Sequence, residues 1–171
     1  MIETEVKIRI GDPGPVREKL IALGAVVSRE RVLEEDTLYD FPDGRLRDAR
    51  RALRLRRAGR RTTLTFKGTP EKSRSFKVRE EFETTVSDAG QARKILKALG
   101  LQPALAYAKH RTVLRRGRLT VTIDETPAGN FLELEGKRHE IARFAERLGF
   151  SRADFLRASY ADLIIKAREK Q

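Results

Sequence analysis

The feature that most constrains this chain is a two-residue alternation that recurs along most of its length and sorts charge onto one face. In residues 1–10, Ile2, Val6, Ile8 and Ile10 share one side of an extended chain, and Glu3, Glu5, Lys7 and Arg9 share the other. Taken alone, such a strand is a sheet element wetting its polar side, and two same-face glutamates oppose it by like-charge repulsion. The pattern then repeats. Leu53 and Leu55 alternate with Arg54 and Arg56; Leu64 and Phe66 oppose Thr63, Thr65 and Lys67; Phe76, Val78 and Phe82 oppose Lys77, Arg79, Glu81 and Glu83. Further on, Lys109 and Arg111 share a face of a strand running from about Tyr107 to Arg115; Leu119, Val121 and Ile123 oppose Thr120, Thr122 and Asp124, and Leu132 and Leu134 oppose Phe131, Glu133 and Glu135.

Helices are inserted between these strands. Asp12 is an N-cap for a helix with Val16, Leu20, Ile21 and Leu23 on its apolar stripe and Gly24 as its stop. Residues 88–100 repeat the arrangement, with Ala92, Ile95, Leu96 and Leu99 inward. Residues 137–148 and 154–168 read as two closing helices. The sum is about eight strands with helices between them, a single α+β domain over residues 1–171 with a mainly antiparallel sheet.

The aliphatic strand faces pack under the helices, which leaves the charged faces together. An open sheet with a solvated face and a barrel closed with its charges inward both satisfy this. The sorting of charge favours the barrel. Glu3 with Glu5, Glu81 with Glu83 and Glu133 with Glu135 are acidic pairs, joined by Asp124; Lys7, Arg54, Arg56, Lys67, Lys109 and Arg111 are the basic members. Like charges on successive same-face positions cost stability unless opposite charge lies between them. Carboxylates are hard ligands suited to Mg²⁺ or Mn²⁺, and arginine forks suit phosphate, so the pattern describes a cavity for a metal-bound polyphosphate.

Composition narrows the chemistry. With 36% charged and 39% hydrophobic residues, the chain carries more charge than a surface alone calls for. A net charge of +12 favours polyanionic partners. The absence of cysteine excludes disulfides, thiolate metal sites and cysteine catalysis, and two histidines, His110 and His139, argue against a histidine-built zinc site. No apolar run reaches membrane-spanning length and no signal-peptide pattern opens the sequence, so a cytoplasmic protein with no membrane partner is expected.

These residues resemble the CYTH superfamily, also called triphosphate tunnel metalloenzymes. Glu3-Thr4-Glu5-Val6-Lys7 matches its Glu-x-Glu-x-Lys signature. Arg54-Leu55-Arg56, Thr65-Phe66-Lys67, Glu81-Phe82-Glu83, Lys109-His110-Arg111, and Asp124 followed by Gly129–Glu135 fall in the family's order. Ser159-Tyr160-Ala161-Asp162-Leu163 resembles the bacterial cyclase-like branch. The resemblance implies an eight-stranded antiparallel β-barrel (a tunnel) with flanking helices, formed by one CYTH-like domain and binding a triphosphate-containing small molecule with Mg²⁺ or Mn²⁺. It implies Glu3, Glu5, Glu133, Glu135 and Asp124 as metal ligands. Lys7, Arg54, Arg56, Lys67, Lys109 and Arg111 would grip phosphate, and Glu5, Lys7, Glu81 and Glu83 would serve catalysis, the last two through a second metal or an oriented water. A homodimer is implied by the resemblance alone.

Two reactions suit such a site: hydrolysis of inorganic, nucleoside or thiamine triphosphate, and cyclisation of ATP to cyclic AMP and pyrophosphate, as in class IV adenylyl cyclases. Cyclases of the family carry a His-Phe pair several residues before the first signature, and the sequence begins too close to Glu3 to include it, so triphosphatase is the expected activity. A non-enzymatic nucleic-acid or polyanion module is the reading from another class. It rests on nine arginines in residues 45–61. Without interleaved aromatics for base stacking, and with acidic pairs elsewhere, that run fits nucleic acid poorly.

Overall fold

The structure, a computed structural model, describes residues 2–170. Among the described residues, nine strands and five α-helices follow in the order β1 (Ile2–Ile10), α1 (Pro13–Ala22), β2 (Val26–Asp40), α2 (Arg45–Asp48), β3 (Ala52–Ala58), β4 (Arg61–Lys67), β5 (Lys77–Val86), α3 (Ala89–Ala98), β6 (Gln102–Arg116), β7 (Leu119–Thr126), β8 (Gly129–Glu135), α4 (Arg138–Arg147), β9 (Phe155–Leu156) and α5 (Tyr160–Arg168). The hydrogen-bonded strand order is β5-β4-β3-β2-β6-β7-β8-β1-β9, and β5 also pairs with β1. Eight strands therefore return on themselves as an antiparallel β-barrel with flanking helices, the class expected from the alternation.

By contact the chain divides into two compact units. One, the terminal unit, holds Glu3–Val32, Lys72–Val78 and residues 109–170; the other, the middle unit, holds Leu33–Glu71 and Arg79–Ala108. In the terminal unit the aliphatic faces make the core: Val6, Ile8, Val121, Ile123, Leu132 and Leu134 are all buried, with Leu20 of α1 and Ile141, Phe144 and Ala145 of α4 packed among them. Each Val, Leu, Ile or Phe side chain so removed from water contributes about 1.5–3 kcal/mol. The middle unit has a smaller core of Tyr39, Leu55, Leu96 and Leu101.

Local chemistry sets the helix ends. Asp12 Oδ1 accepts from the Gly14 N–H at 2.9 Å and Asp88 Oδ1 from the Gln91 N–H at 3.0 Å, while Gly24 and Gly100 follow α1 and α3 at φ of +87° and +86°, which favours glycine. α2 is a short helix inside the arginine-rich run of residues 45–61, which the two-residue alternation does not foretell. Asp40 makes it, because its carboxylate accepts the N–H groups of Phe41, Leu46 and Arg47 at 2.7–3.0 Å and turns the chain into a helical start.

Three expectations are corrected. Ile95 of α3 and Leu99 at its C-cap are 60% and 64% exposed, so only Leu96 of that helix is buried. The expected helix over 154–168 starts at Tyr160 instead; before it come a 3₁₀ turn at Arg152–Asp154 and β9, which pairs Phe155 with Ile8 and Leu156 with Lys7. The strand expected from about Tyr107 begins earlier, at Gln102.

Candidate active site

In the terminal unit several side chains of the polar strand faces are buried as deeply as the aliphatic ones, while Arg9 and Glu135 are exposed. Lys7 is 3% exposed, Lys109 2% and Asp124 0%. Register explains which groups meet. β1 and β8 pair Lys7 with Glu133 and Glu5 with Glu135, β8 and β7 pair Glu133 with Thr122, and β7 and β6 pair Asp124 with Arg111. Lys7 Nζ donates to Glu133 Oε1 at 2.7 Å, and Arg111 Nη2 donates to Glu133 Oε2 at 2.5 Å. Arg111 also forks onto Asp124, through Nε at 2.6 Å and Nη2 at 2.5 Å, and Lys109 Nζ reaches Asp124 Oδ2 at 3.1 Å. Glu5 meets Lys77 at 3.5 Å, the longest of these ion pairs.

Such a cluster fixes its own charge states. Burial opposes ionisation of Glu133 and Asp124, but the cations outweigh it: Lys7 and Arg111 hold Glu133 well below the usual carboxylate range, and Arg111 and Lys109 lower Asp124. Burial likewise works against the Lys7 ammonium, and Glu133 and Glu5 overcome it and raise its pKa. All of these groups are therefore charged at neutral pH.

The middle unit holds its own cluster. Arg56 forks onto Asp36 through Nε and Nη2, both at 2.7 Å, and its Nη1 lies 2.7 Å from Glu34 Oε2. Glu34 and Asp36 are each 1% exposed. Arg54 Nη2 donates to Thr65 Oγ1 at 3.2 Å and lies 3.8 Å from Glu83, and Thr65 Oγ1 donates to Glu83 at 2.8 Å. Lys67 Nζ lies 2.5 Å from Glu81 Oε2. Tyr107 lies beside Asp36, and burial followed by that carboxylate pushes its phenol pKa up.

The structure thus brings Lys7, Lys109, Arg111, Asp124 and Glu133 into one network, with Glu5 and Glu135 facing each other in register on the same strand pair. Arg54, Arg56, Lys67, Glu81 and Glu83 group in the middle unit. Glu3 lies two residues from Glu5 on β1 and is half-buried. Five more residues join these groups: Glu34, Asp36 and Tyr107 were not singled out from the sequence, Lys77 was placed only on a polar strand face, and Tyr160 only in the stretch that resembles the cyclase-like branch. Glu34 and Asp36 repeat the same-face acidic spacing of Glu3 and Glu5, a signal that was readable. Lys77 lies on the polar face that the alternation defines. Tyr107 and Tyr160 carried no such signal, because only tertiary placement sets a tyrosine hydroxyl on a buried carboxylate; Tyr160 donates to Asp124 Oδ2 at 2.5 Å.

Among the described residues, no group of three or more Asp, Glu or His side chains converges as a formed metal cage. The donor chemistry nonetheless fits a divalent ion: Glu5 and Glu135 present carboxylate oxygens from paired positions, Glu3 lies next along β1, and such oxygens suit Mg²⁺ or Mn²⁺.

Comparison with known proteins gives this arrangement its class. The CYTH domain model matches residues 1–160, and the chain belongs to that family. It is 30% identical to a candidate adenylate cyclase of Methanocaldococcus jannaschii, over 95% of this chain and 98% of that one, and 30% identical to the adenylate cyclase CyaB of Aeromonas hydrophila, over 94% and 87%. A solved structure from Hippeastrum, described as an adenylyl cyclase candidate with a dominant triphosphatase activity, shares the fold with a TM-score of 0.69 at 19% identity, covering 99% of this chain and 96% of that one.

Proposed function

We propose that this CYTH protein is a divalent-metal-dependent phosphohydrolase acting on triphosphate compounds, inorganic triphosphate, nucleoside triphosphate or thiamine triphosphate. The observation that carries the reading is the buried network in which Lys7, Lys109 and Arg111 are held in fixed positions by Asp124 and Glu133. Cations oriented in advance stabilise charge on phosphoryl oxygens without reorganising at the moment of reaction, which is most of what phosphoryl transfer asks of a protein. Arg111 offers a planar fork and the two lysines offer point charges, the complementary ways of holding phosphate.

Glu3, Glu5 and Glu135 would hold Mg²⁺ or Mn²⁺, with Glu133 and Asp124 as further carboxylates for it. When bound, the ion offsets phosphoryl charge and lowers the pKa of a coordinated water. The protein's own residues do the rest: Lys7, Lys109 and Arg111 bind and orient the phosphate chain, and burial keeps bulk water from competing for their donors. In the middle unit, Arg54, Arg56 and Lys67 offer phosphate-binding chemistry and Glu81 and Glu83 offer carboxylates for a second ion or an oriented water.

Cyclisation of ATP is the second reading, favoured by the names of the two relatives at 30% identity. The fold of the Hippeastrum protein accommodates hydrolysis, a fold-level analogy only. Product analysis with ATP and Mn²⁺ separates the two. Hydrolysis gives ADP and phosphate, whereas cyclic AMP with pyrophosphate as the main product would overturn the hydrolase reading. Salt-sensitive binding of duplex DNA with no metal-dependent turnover would favour a binding module instead.

A further inference from the structure

The Ser159-Tyr160-Ala161-Asp162-Leu163 stretch has no part in the chemistry so far, yet it opens α5 at the cation cluster. Ser159 Oγ accepts from the Asp162 N–H at 3.2 Å and the Asp162 carboxylate accepts from the Ser159 N–H at 2.9 Å, a capping box that fixes where the helix starts. The first helical residue is Tyr160, 7% exposed. Its hydroxyl donates to Asp124 Oδ2, the oxygen that also accepts from Lys109 and Arg111. Its ring centroid lies 4.1 Å from Lys7 Nζ and 4.3 Å from Lys109 Nζ, and Phe131 meets the ring edge-on at 5.6 Å.

One side chain therefore touches both ammonium groups through its π-system and their shared carboxylate through its hydroxyl. Two buried like charges repel, and an aromatic ring is a neutral group that attracts both. We infer that Tyr160 is a positioning residue: it sets the spacing of Lys7 and Lys109 and the orientation of Asp124, and so tunes how tightly the cluster holds a polyphosphate. The substrate part of this inference rests on the hydrolase reading; the positioning part does not.

Two substitutions and two readouts test it. Tyr160→Phe keeps the ring and removes the hydroxyl, and Tyr160→Leu removes both. In proton NMR of the ligand-free protein, the ε-methylene signals of Lys7 and Lys109 are displaced by the ring, and Tyr160→Leu returns both toward ordinary lysine positions. With inorganic tripolyphosphate, Tyr160→Phe raises KM about three- to tenfold, the worth of one hydrogen bond, and leaves kcat within about twofold. Should Tyr160→Leu fail to fold, the displaced signals of the unaltered protein and the kinetics of Tyr160→Phe carry the test. Undisplaced lysine signals in the unaltered protein, or a Tyr160→Phe enzyme with unchanged KM, would overturn the inference. An unaltered protein that shows displaced signals but turns over no tripolyphosphate sinks the hydrolase reading and leaves the positioning role standing.

Discussion

Lys7 and Glu133 are cross-strand partners on β1 and β8, joined by a 2.7 Å ion pair with side chains only 3% and 12% exposed. Each charge stabilises the other there, because desolvation makes a poorly paired buried ion costly, and Arg111 on Glu133 and Glu5 near Lys7 supply the remaining support. Glu133→Leu is accordingly expected to destabilise the protein by about 3–5 kcal/mol, and the double variant Lys7→Met with Glu133→Leu by clearly less. Urea denaturation of the two singles and the double checks this. Additive losses would mean the two side chains act independently.

The same network sets a pH window for stability. Asp124 and Glu133 have folded pKa values below their unfolded ones, so the stability they add is present above about pH 4 and lost as pH falls through the folded values. Lys7 is raised, so its contribution is complete below about pH 10 and lost as pH rises through its higher folded value. Denaturation midpoints should form a plateau between these limits. Asp124→Asn should flatten the acid limb, and an acid limb of unchanged slope would count against the assigned cause.

Arg56 and Arg54 should behave differently although they stand two residues apart. Arg56 spans Asp36 and Glu34 in a buried cluster, whereas Arg54 meets Thr65 and the exposed Glu83. Arg56→Ala leaves two buried carboxylates facing each other and should cost about 3–5 kcal/mol of stability. Arg54→Ala should cost about 1 kcal/mol and show itself mainly as a raised KM. Thermal melts alongside tripolyphosphate kinetics distinguish them, and equal destabilisation by the two would contradict the account.

Metal dependence should concentrate on Glu5. Its carboxylate lies 3.5 Å from Lys77 and is paired with Glu135 in register. Glu5→Gln keeps the shape but loses the charge a hard cation needs. Turnover should fall at least about 100-fold, with the apparent Mn²⁺ requirement shifted upward. Full activity in Glu5→Gln would move the metal assignment elsewhere.

The sequence and the structure agree most closely where alternation is strict. β1, β3, β7 and β8 were readable because a period of two fixes both faces at once, and the sorted charges on one face made a closed sheet the economical solution. Burial of Lys7, Lys109 and Asp124 bears that out. Features that depend on distant partners were not readable: α2 exists because Asp40 collects three backbone N–H groups, and β9 because Phe155 and Leu156 pair with β1. Periodicity also overstated α3, since it marks an apolar stripe but not how much of it finds a surface; Ile95 and Leu99 do not. Glu34 and Asp36 were missed although their same-face spacing repeats that of Glu3 and Glu5, because β2 also carries charges on its other face.

The central claim, that buried cations and carboxylates form a metal-dependent triphosphate site, is tested most directly by phosphate release from inorganic tripolyphosphate. Release should require Mg²⁺ or Mn²⁺, stop with EDTA, return on adding the ion, and be lost in Lys7→Ala. No phosphate from tripolyphosphate, ATP or thiamine triphosphate under any of these conditions, with no cyclic AMP from ATP, would contradict it.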